Sequence, residues 1–289
     1  MSPKVNTLKL SDPGYPETLR LIHSPPKQLF YRGESPSTWL SKPKLGVVGS
    51  RKMTNYGRTV TTNLVGDLAR AGVVIISGLA YGVDAAAHRA ALDAGGIAVA
   101  VLGNPVERIA PAGNYSLGLD ILAKGGTILS EYSVGAKVYA GNFVVRNRIV
   151  SGLCDAILVT EATLKSGSLH TARFALEQGK TVMAVPGNIT SPISEGCNNL
   201  IKSGAIPVTS ADDIFFALNL DFKKAAAPTL FDGPADAKAI LTLIKDGITD
   251  QEELAAAAQL DGPTASSALT TLELAGQIKP LGGGHWTAS

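Results

Sequence analysis

Between Lys44 and Leu218 the chain alternates short apolar segments with amphipathic segments of helical period. Seven of the apolar segments have strand length, at 45–49, 73–77, 97–102, 127–130, 156–160, 181–185 and 206–208. Most are continuously apolar, as strands are when helices cover both faces of a sheet. Helical patterns at 59–72, 83–96, 115–126 and 168–180 separate several of them. The repeated βα units predict an α/β fold with a doubly wound, mostly parallel sheet, whose strand order stays open.

Two further regions flank this main domain, which we place at 45–220. Residues 1–44 are rich in Pro and Ser, and we expect one short helix and an extended segment that pack on the core. Residues 221–235 have the composition of a linker. Residues 236–289 show three helical patterns and then a short hairpin pattern, which predicts a small winged-helix domain.

Composition narrows the class of protein. The 289 residues are 45% hydrophobic and 17% charged, enough for a substantial core, and the longest apolar runs are of strand length, so no membrane span is expected. The N-terminus lacks the apolar core of a signal peptide. Cys154 and Cys197 lie far apart without CxxC spacing, which fits a reducing cytoplasm. The four histidines are scattered, so we expect no metal site.

Loops rich in Gly, Ser and Asn follow nearly every predicted strand, at 46–57, 76–88, 101–114, 165–172 and 184–205. Glycine lets a backbone approach phosphate oxygens closely, and successive N–H groups form concavities that bind anions. Loops that follow parallel strands meet at one edge of the sheet. Five such loops at one edge therefore predict a ligand rich in phosphate.

The segment 143–164 carries the residues most suited to such a ligand. Phe143, Arg146, Asn147 and Arg148 precede a buried strand that ends at Glu161, and the turn 166–168 then opens another helix. Guanidinium groups bind phosphate well, and helix N-termini favour anions. We expect these groups to converge along one rim of the sheet, where they would bind the phosphate-rich ligand. Either arginine could instead pair with Glu131 or Glu161 and hold the loop.

At these loops the chain closely resembles the DprA/Smf family. The resemblance is carried by GSR (49–51), SGLAYGVDAAAH (77–88), ILSE (128–131), RNRIVSGL (146–153), VTEATLKSGSLHTA (159–172) and VPGNITSPISEGCNNLIKSGA (185–205). It implies an extended Rossmann-like fold and a homodimer that binds and protects single-stranded DNA. It also implies loading of RecA recombinase onto that strand during natural transformation, with displacement or bypass of single-strand-binding protein. It implies no catalytic reaction and no cofactor.

The resemblance also suggests particular DNA-binding residues. These are Ser50, Arg51, Lys137, Phe143, Arg146, Asn147, Arg148, Ser166, Gly167, Ser168 and Lys202. Many relatives carry a helical module ahead of the Rossmann domain, and we expect it to be missing because 44 residues precede the first strand of the main domain. The third helical pattern of the tail, 264–276, contains no Lys or Arg. We therefore expect it to contact protein or to pack on the core domain rather than to read duplex DNA.

Two other functions stay open. In a nucleotide phosphoribohydrolase-like enzyme, the turn 166–168 would hold a nucleotide phosphate, and Glu161 or Glu177 would assist cleavage of the glycosidic bond. In a scaffold protein, the small-residue loops would bind only protein. Asp84 and His88 share a helix face four residues apart, and we interpret them as a helix cap and a structural histidine.

Overall fold

The structure, a computed structural model, describes residues 4–220 and 233–288, and the chain divides into two compact units, 1–222 and 223–289. The strands of the first unit are β1 (Asn6–Lys9), β2 (Gln28–Gly33), β3 (Lys44–Val48), β4 (Val74–Ser77), β5 (Ala98–Leu102), β6 (Thr127–Ser130), β7 (Ala156–Val159), β8 (Thr181–Ala184) and β9 (Ile206–Pro207). Its helices are α1 (Glu17–Arg20), α2 (Asn55–Arg70), α3 (Val83–Asp93), α4 (Tyr115–Ala123), α5 (Ala140–Val145), α6 (Asn147–Leu153), α7 (Ser168–Glu177), α8 (Glu195–Lys202) and α9 (Ala211–Ala217).

The nine strands form one sheet in the order β1-β2-β6-β5-β4-β3-β7-β8-β9. The strands from β6 to β9 in this order run parallel to one another, which confirms the expected mostly parallel α/β sheet. From β3 the chain builds outward to β6 on one side and then, from β7, to β9 on the other. The carboxyl ends of β3 and β7 therefore form the switch point at which ligands bind in open α/β sheets.

Alternate residues of the central strands enter separate cores on the two faces of the sheet. Leu45 and Val47 of β3 belong to a core that includes residues of α2, α3, α4 and α9. Val48 belongs to the other core, with residues of α1, α6, α7 and α8. Burial on both faces explains why these strands are continuously apolar in sequence.

The N-terminal residues supply two strands of the sheet. β2 pairs antiparallel with both β1 and β6, so β1 and β2 extend the sheet beyond β6. Leu19, Leu29 and Trp39 are fully buried, and the Trp39 indole N–H donates to Thr127 Oγ1 at 2.9 Å. The extension contributes the short helix α1 and two strands of the sheet, whereas the sequence indicated one short helix and an extended segment.

The second unit contains α10 (Ala235–Lys245), α11 (Gln251–Ala257), α12 (Gly262–Leu274) and a hairpin of β10 (Ile278–Gly282) and β11 (His285–Ala288). Asp250 and Asp261 cap α11 and α12 by accepting from backbone N–H groups of their first turns. This is the expected winged-helix arrangement, and its apolar core is separate from those of the sheet. The expected linker falls largely on residues 221–232, which lie outside the described residues. Within the described ranges, no helix is both long and apolar enough to cross a membrane.

Candidate functional site

A cleft of about 600 Å³ lies at the carboxyl ends of β3, β4 and β7, at the switch point of the sheet. It gathers most of the residues suggested by the sequence: Ser50, Arg51, Phe143, Arg146, Asn147, Ser166, Gly167 and Ser168. Its lining also includes Lys52, Thr163 and Thr171, which the sequence did not suggest, and Asp84, which the sequence suggested only as a helix cap. Lys52 could have been found as the next basic residue after Arg51, whereas nothing in the sequence marks the two threonines.

The loop after β3 forms one wall of the cleft and is held from both sides. The Ser50 N–H donates to the Glu161 carbonyl at 2.6 Å, and the Val83 N–H donates to the Ser50 carbonyl at 3.1 Å. These bonds tie the loop to the segment after β7 and to the start of α3. The side chains of Arg51 and Lys52 follow directly and are exposed. Two exposed cationic side chains therefore extend from a main chain that hydrogen bonds hold in place at the cleft.

Arg146 contributes a buried positive charge to the cleft. Only 5% of its surface is exposed, and its Nη1 donates to the carbonyls of Gly78, at 2.9 Å, and Val101. Its Nε donates to Asn147 Oδ1 at 3.1 Å. Burial lowers the pKa of Arg146 to about 10, and the negative charge of Asp84 opposes that shift. The guanidinium thus stays charged at neutral pH, and it joins the ends of β4 and β5.

Asp84 lies beneath the same part of the cleft. Its carboxylate accepts from the N–H groups of Gly78, at 3.1 Å, and Ala80, at 3.3 Å. It therefore holds the loop before α3, which corrects its interpretation as a cap of that helix. Burial raises the pKa of Asp84, and Arg146 opposes the shift. One turn further along α3, His88 is fully buried, and neither ring nitrogen meets a hydrogen-bond partner in the described protein. Its burial, assisted by Arg146, lowers the pKa of His88 to about 3.

Phe143 places an aromatic ring at the cleft. The ring packs against Gly103 after β5, where an added Cβ would lie 2.8 Å from Phe143 Cδ1. A larger residue at position 103 would displace the ring, so glycine fixes its position. Phe143 is only half-buried, and it lines the cleft.

The turn before α7 faces the cleft with small polar groups. Ser166 Oγ and Ser168 Oγ are hydrogen-bonded at 2.8 Å, and α7 begins at Ser168. The Asn147 side-chain amide donates to the Gly167 carbonyl at 3.4 Å, which connects this turn to the start of α6. Hydroxyl groups at a helix N-terminus suit an anionic oxygen, since the helix dipole is positive there.

Three of the suggested residues lie outside the cleft lining. Lys137 is exposed between β6 and α5, and Lys202 is exposed in the last turn of α8. Arg148 binds the Glu131 carboxylate through two hydrogen bonds, of 2.8 and 2.7 Å, and its Nε donates to the Ser24 carbonyl. The expected convergence of all the arginines is therefore wrong for Arg148, because Glu131 and the N-terminal extension hold its guanidinium. The alternative pairing with Glu131 is the one observed.

The carboxylates suggested for a hydrolase lie away from the cleft. The Glu161 oxygens accept from the N–H and the hydroxyl of Thr54, at 2.7 and 2.6 Å. Glu177 pairs with Arg173 on the exposed face of α7, at 2.9 Å. Neither residue lines the cleft that contains the 166–168 turn. This separation removes the acid or base that the enzyme alternative assigned to them.

Comparison with protein families covers nearly all of the chain. Residues 6–219 match the family model described as DNA recombination-mediator protein A, and residues 224–284 match that of the DprA winged helix domain. The chain belongs to the DprA/Smf family. Every suggested site residue lies within the first of these matches, and the second covers the winged-helix unit from α10 to β10.

Individual DprA/Smf proteins support the assignment. Protein Smf of Escherichia coli is 40% identical over 94% of this chain and 74% of its own length. DNA processing protein DprA of Bacillus subtilis is 42% identical, over 73% of this chain and 70% of its own length. The crystal structure of Streptococcus pneumoniae DprA superposes with a TM-score of 0.70 at 38% identity, covering 76% of each chain. A Helicobacter pylori DprA structure, described in terms of its single-stranded DNA binding mode, gives 0.67 at 30% identity and covers 75% of this chain and 96% of its own.

Proposed function

We propose that this protein binds single-stranded DNA at the switch-point cleft. Arg51 and Lys52 would contact phosphates, and the 166–168 turn would offer hydroxyl groups to a phosphate oxygen. A base would lie against the face of Phe143. Single-strand binding without sequence preference needs a cationic groove combined with an aromatic surface for the bases. The observation that carries the proposal is that both components line one cleft.

The charge of the cleft favours a polyanion. Arg51, Lys52 and Arg146 line it, and the carboxylate among its lining residues belongs to Asp84. That carboxylate is buried and occupied by backbone N–H groups, so it is poorly placed to repel a phosphate at the rim. Arg146 is itself buried, which makes Arg51 and Lys52 the residues we expect to touch DNA directly.

We also propose that the bound strand is protected and then passed to RecA recombinase during natural transformation, and that the working form is a homodimer. The support is family membership and the names of the relatives, which describe DNA processing and, for the Helicobacter pylori protein, single-stranded DNA binding. A RecA strand-exchange assay on DNA coated with single-strand-binding protein tests the transfer. Light scattering tests the dimer, which a strict monomer at micromolar concentration would contradict.

The central test is a titration of labelled oligo-dT and of the matching duplex at two salt concentrations. We expect tighter binding of the single strand, with log affinity falling against log salt by about 0.7 for each phosphate contacted. Equal affinity for the duplex, or affinity independent of salt, would contradict the proposal. Incubation with nucleoside monophosphates tests the enzyme alternative, and we expect no release of free base.

A further inference from the structure

A second cavity, of about 510 Å³, lies beside the cleft at the same edge of the sheet. It is lined by Thr54 at the end of the loop after β3, by Tyr56 in the first turn of α2, by Glu161 after β7, and by the segment after β8. The two cavities share walls. Ser50 and Lys52 of the loop after β3 line the cleft, while Thr54 at the end of that loop and Tyr56 in the first turn of α2 line the second cavity. A ligand chain that leaves the cleft across this loop would therefore meet the second cavity next.

The segment after β8 also contributes residues to both cavities. Ile193 lines the cleft, whereas Ser191 and Ser194 line the second cavity. This segment is held in place because the Asn198 side chain both accepts from the Gly187 N–H, at 3.1 Å, and donates to the Gly187 carbonyl, at 3.0 Å. The partition between the cavities is thus fixed at both of its walls.

The second cavity differs from the cleft in charge. Its lining contains no Lys or Arg among the residues that the structure describes, and it includes Glu161, which is 2% exposed. A buried carboxylate beneath a cavity without cations disfavours a phosphate group. A neutral, planar group with N–H donors would be accepted more readily. Nucleobases are the part of a nucleic acid with these properties.

Tyr56 provides a surface for such a group. The side chain is 49% exposed, and its hydroxyl donates to the Pro186 carbonyl at 2.8 Å. That bond restrains the ring while leaving much of its surface open. A restrained aromatic ring loses little conformational entropy when a base stacks on it.

We propose that the cavity beside Tyr56 is a second nucleotide subsite, which takes a base of the same DNA strand by stacking on the Tyr56 ring. The inference rests on the proposed function, since the phosphates of that strand would be held by Arg51 and Lys52. It assigns bases to both cavities and phosphates to the cationic loop that separates them.

Photochemical crosslinking tests the subsite directly. Oligo-dT in which single thymines are replaced by 5-iodouracil is bound to the full chain, irradiated and mapped by mass spectrometry. We expect a crosslinked peptide that contains Tyr56, in addition to one that contains Phe143. With the same oligomer, the Tyr56→Phe variant should still form the crosslink, because the ring remains. Its affinity should lie within about twofold of that of the unmodified protein. Tyr56→Ala should lose the crosslink and bind about 5- to 150-fold more weakly, the range expected for loss of one stacked base.

The possible outcomes distinguish failure of the second subsite from failure of the proposed single-stranded DNA binding. If oligo-dT does not bind, or binds independently of Arg51, the proposed function fails as well. If binding is tight and depends on Arg51, yet Tyr56→Ala retains full affinity and no crosslink reaches the Tyr56 peptide, only the second subsite is refuted. Tyr56→Leu gives a further check, since it preserves apolar bulk without a ring and should bind as weakly as Tyr56→Ala. Circular dichroism and thermal unfolding establish that each variant is folded.

Discussion

The Arg148 guanidinium donates two parallel hydrogen bonds to the Glu131 carboxylate and a third to the Ser24 carbonyl. The two charged side chains are only 11% and 16% exposed. This pair thereby joins α6, the end of β6 and the N-terminal extension. Arg148 resembles a DNA-contacting residue in sequence, but its guanidinium already binds groups of the protein itself.

Arg148→Ala should therefore act mainly on stability. Removal of one partner leaves the other charge largely buried and unpaired, which costs about 3 kcal/mol in the free energy of unfolding. Urea denaturation measures the loss. In a double-mutant cycle, Arg148→Ala should cost much less in a protein that already carries Glu131→Gln, and additive effects would show that the pair is not coupled.

Arg51→Ala should act on DNA binding instead. Loss of one phosphate contact should lower the slope of log affinity against log salt by about 0.7 and weaken binding to all sequences alike. Arg70→Ala is the matched control, because it removes the same charge at the far end of α2, a helix whose 16 residues span about 24 Å at 1.5 Å per residue. Equal effects of the two substitutions would indicate a response to net charge rather than a contact at the cleft.

Substitutions of Phe143 should separate its ring from its apolar bulk. Phe143→Leu keeps an apolar group beside Gly103 but removes the aromatic face, and it should weaken binding of oligo-dT by about 5- to 150-fold. Phe143→Trp keeps an aromatic face and should bind more tightly than the leucine variant. Fluorescence anisotropy measures both affinities, and a leucine variant that binds as well as the unmodified protein would exclude base stacking here.

Acid should destabilise the protein through His88. Its pKa is near 3 in the folded protein, against 6.5 for the free side chain, so the unfolded chain takes up a proton that the folded one does not. The free energy of unfolding therefore falls as pH decreases from 6.5 toward 3, by up to about 1.4 kcal/mol per pH unit. Asp84 acts in the opposite sense, because its raised pKa makes the folded protein the stronger proton binder.

Comparison of His88→Leu with the unmodified protein isolates the histidine contribution. Denaturant unfolding at about pH 7 and at about pH 4.5 should show a smaller loss of stability in the variant. The same pH dependence in both proteins would assign the acid sensitivity to other groups. Arg146 lies near both titrating residues and stays charged throughout this range, so it does not add a slope of its own.

The sheet and most of the cleft could be predicted because both follow from local patterns. Continuous apolar runs indicated the parallel strands, and small-residue loops after them had to meet at one edge. The two strands of the N-terminal extension were not predicted because most of their residues are only partly buried or exposed, so neither strand forms a continuous apolar run. Such strands resemble an irregular segment until their pairing partners are known.

The burial of Arg146 could not be predicted for a different reason. Its acceptors are the carbonyls of Gly78 and Val101, 68 and 45 residues away in sequence. Every residue has a backbone carbonyl, so the sequence does not indicate which carbonyls will accept hydrogen bonds from a buried arginine. The partner of Arg148 was easier to predict, since Glu131 carries the opposite charge. The sequence alone could not decide whether Arg148 binds Glu131 or DNA.

The antiparallel pairing of β2 with β6 has a practical consequence for dissecting the molecule. A recombinant fragment that starts at Lys44, where the parallel strands begin, would expose the edge of β6 that pairs with β2 and would remove the buried side chain of Leu29. Open strand edges of this kind recruit other chains, so such a fragment is expected to self-associate or precipitate. Truncation experiments should keep the first 33 residues if they are to report on the cleft rather than on a damaged edge.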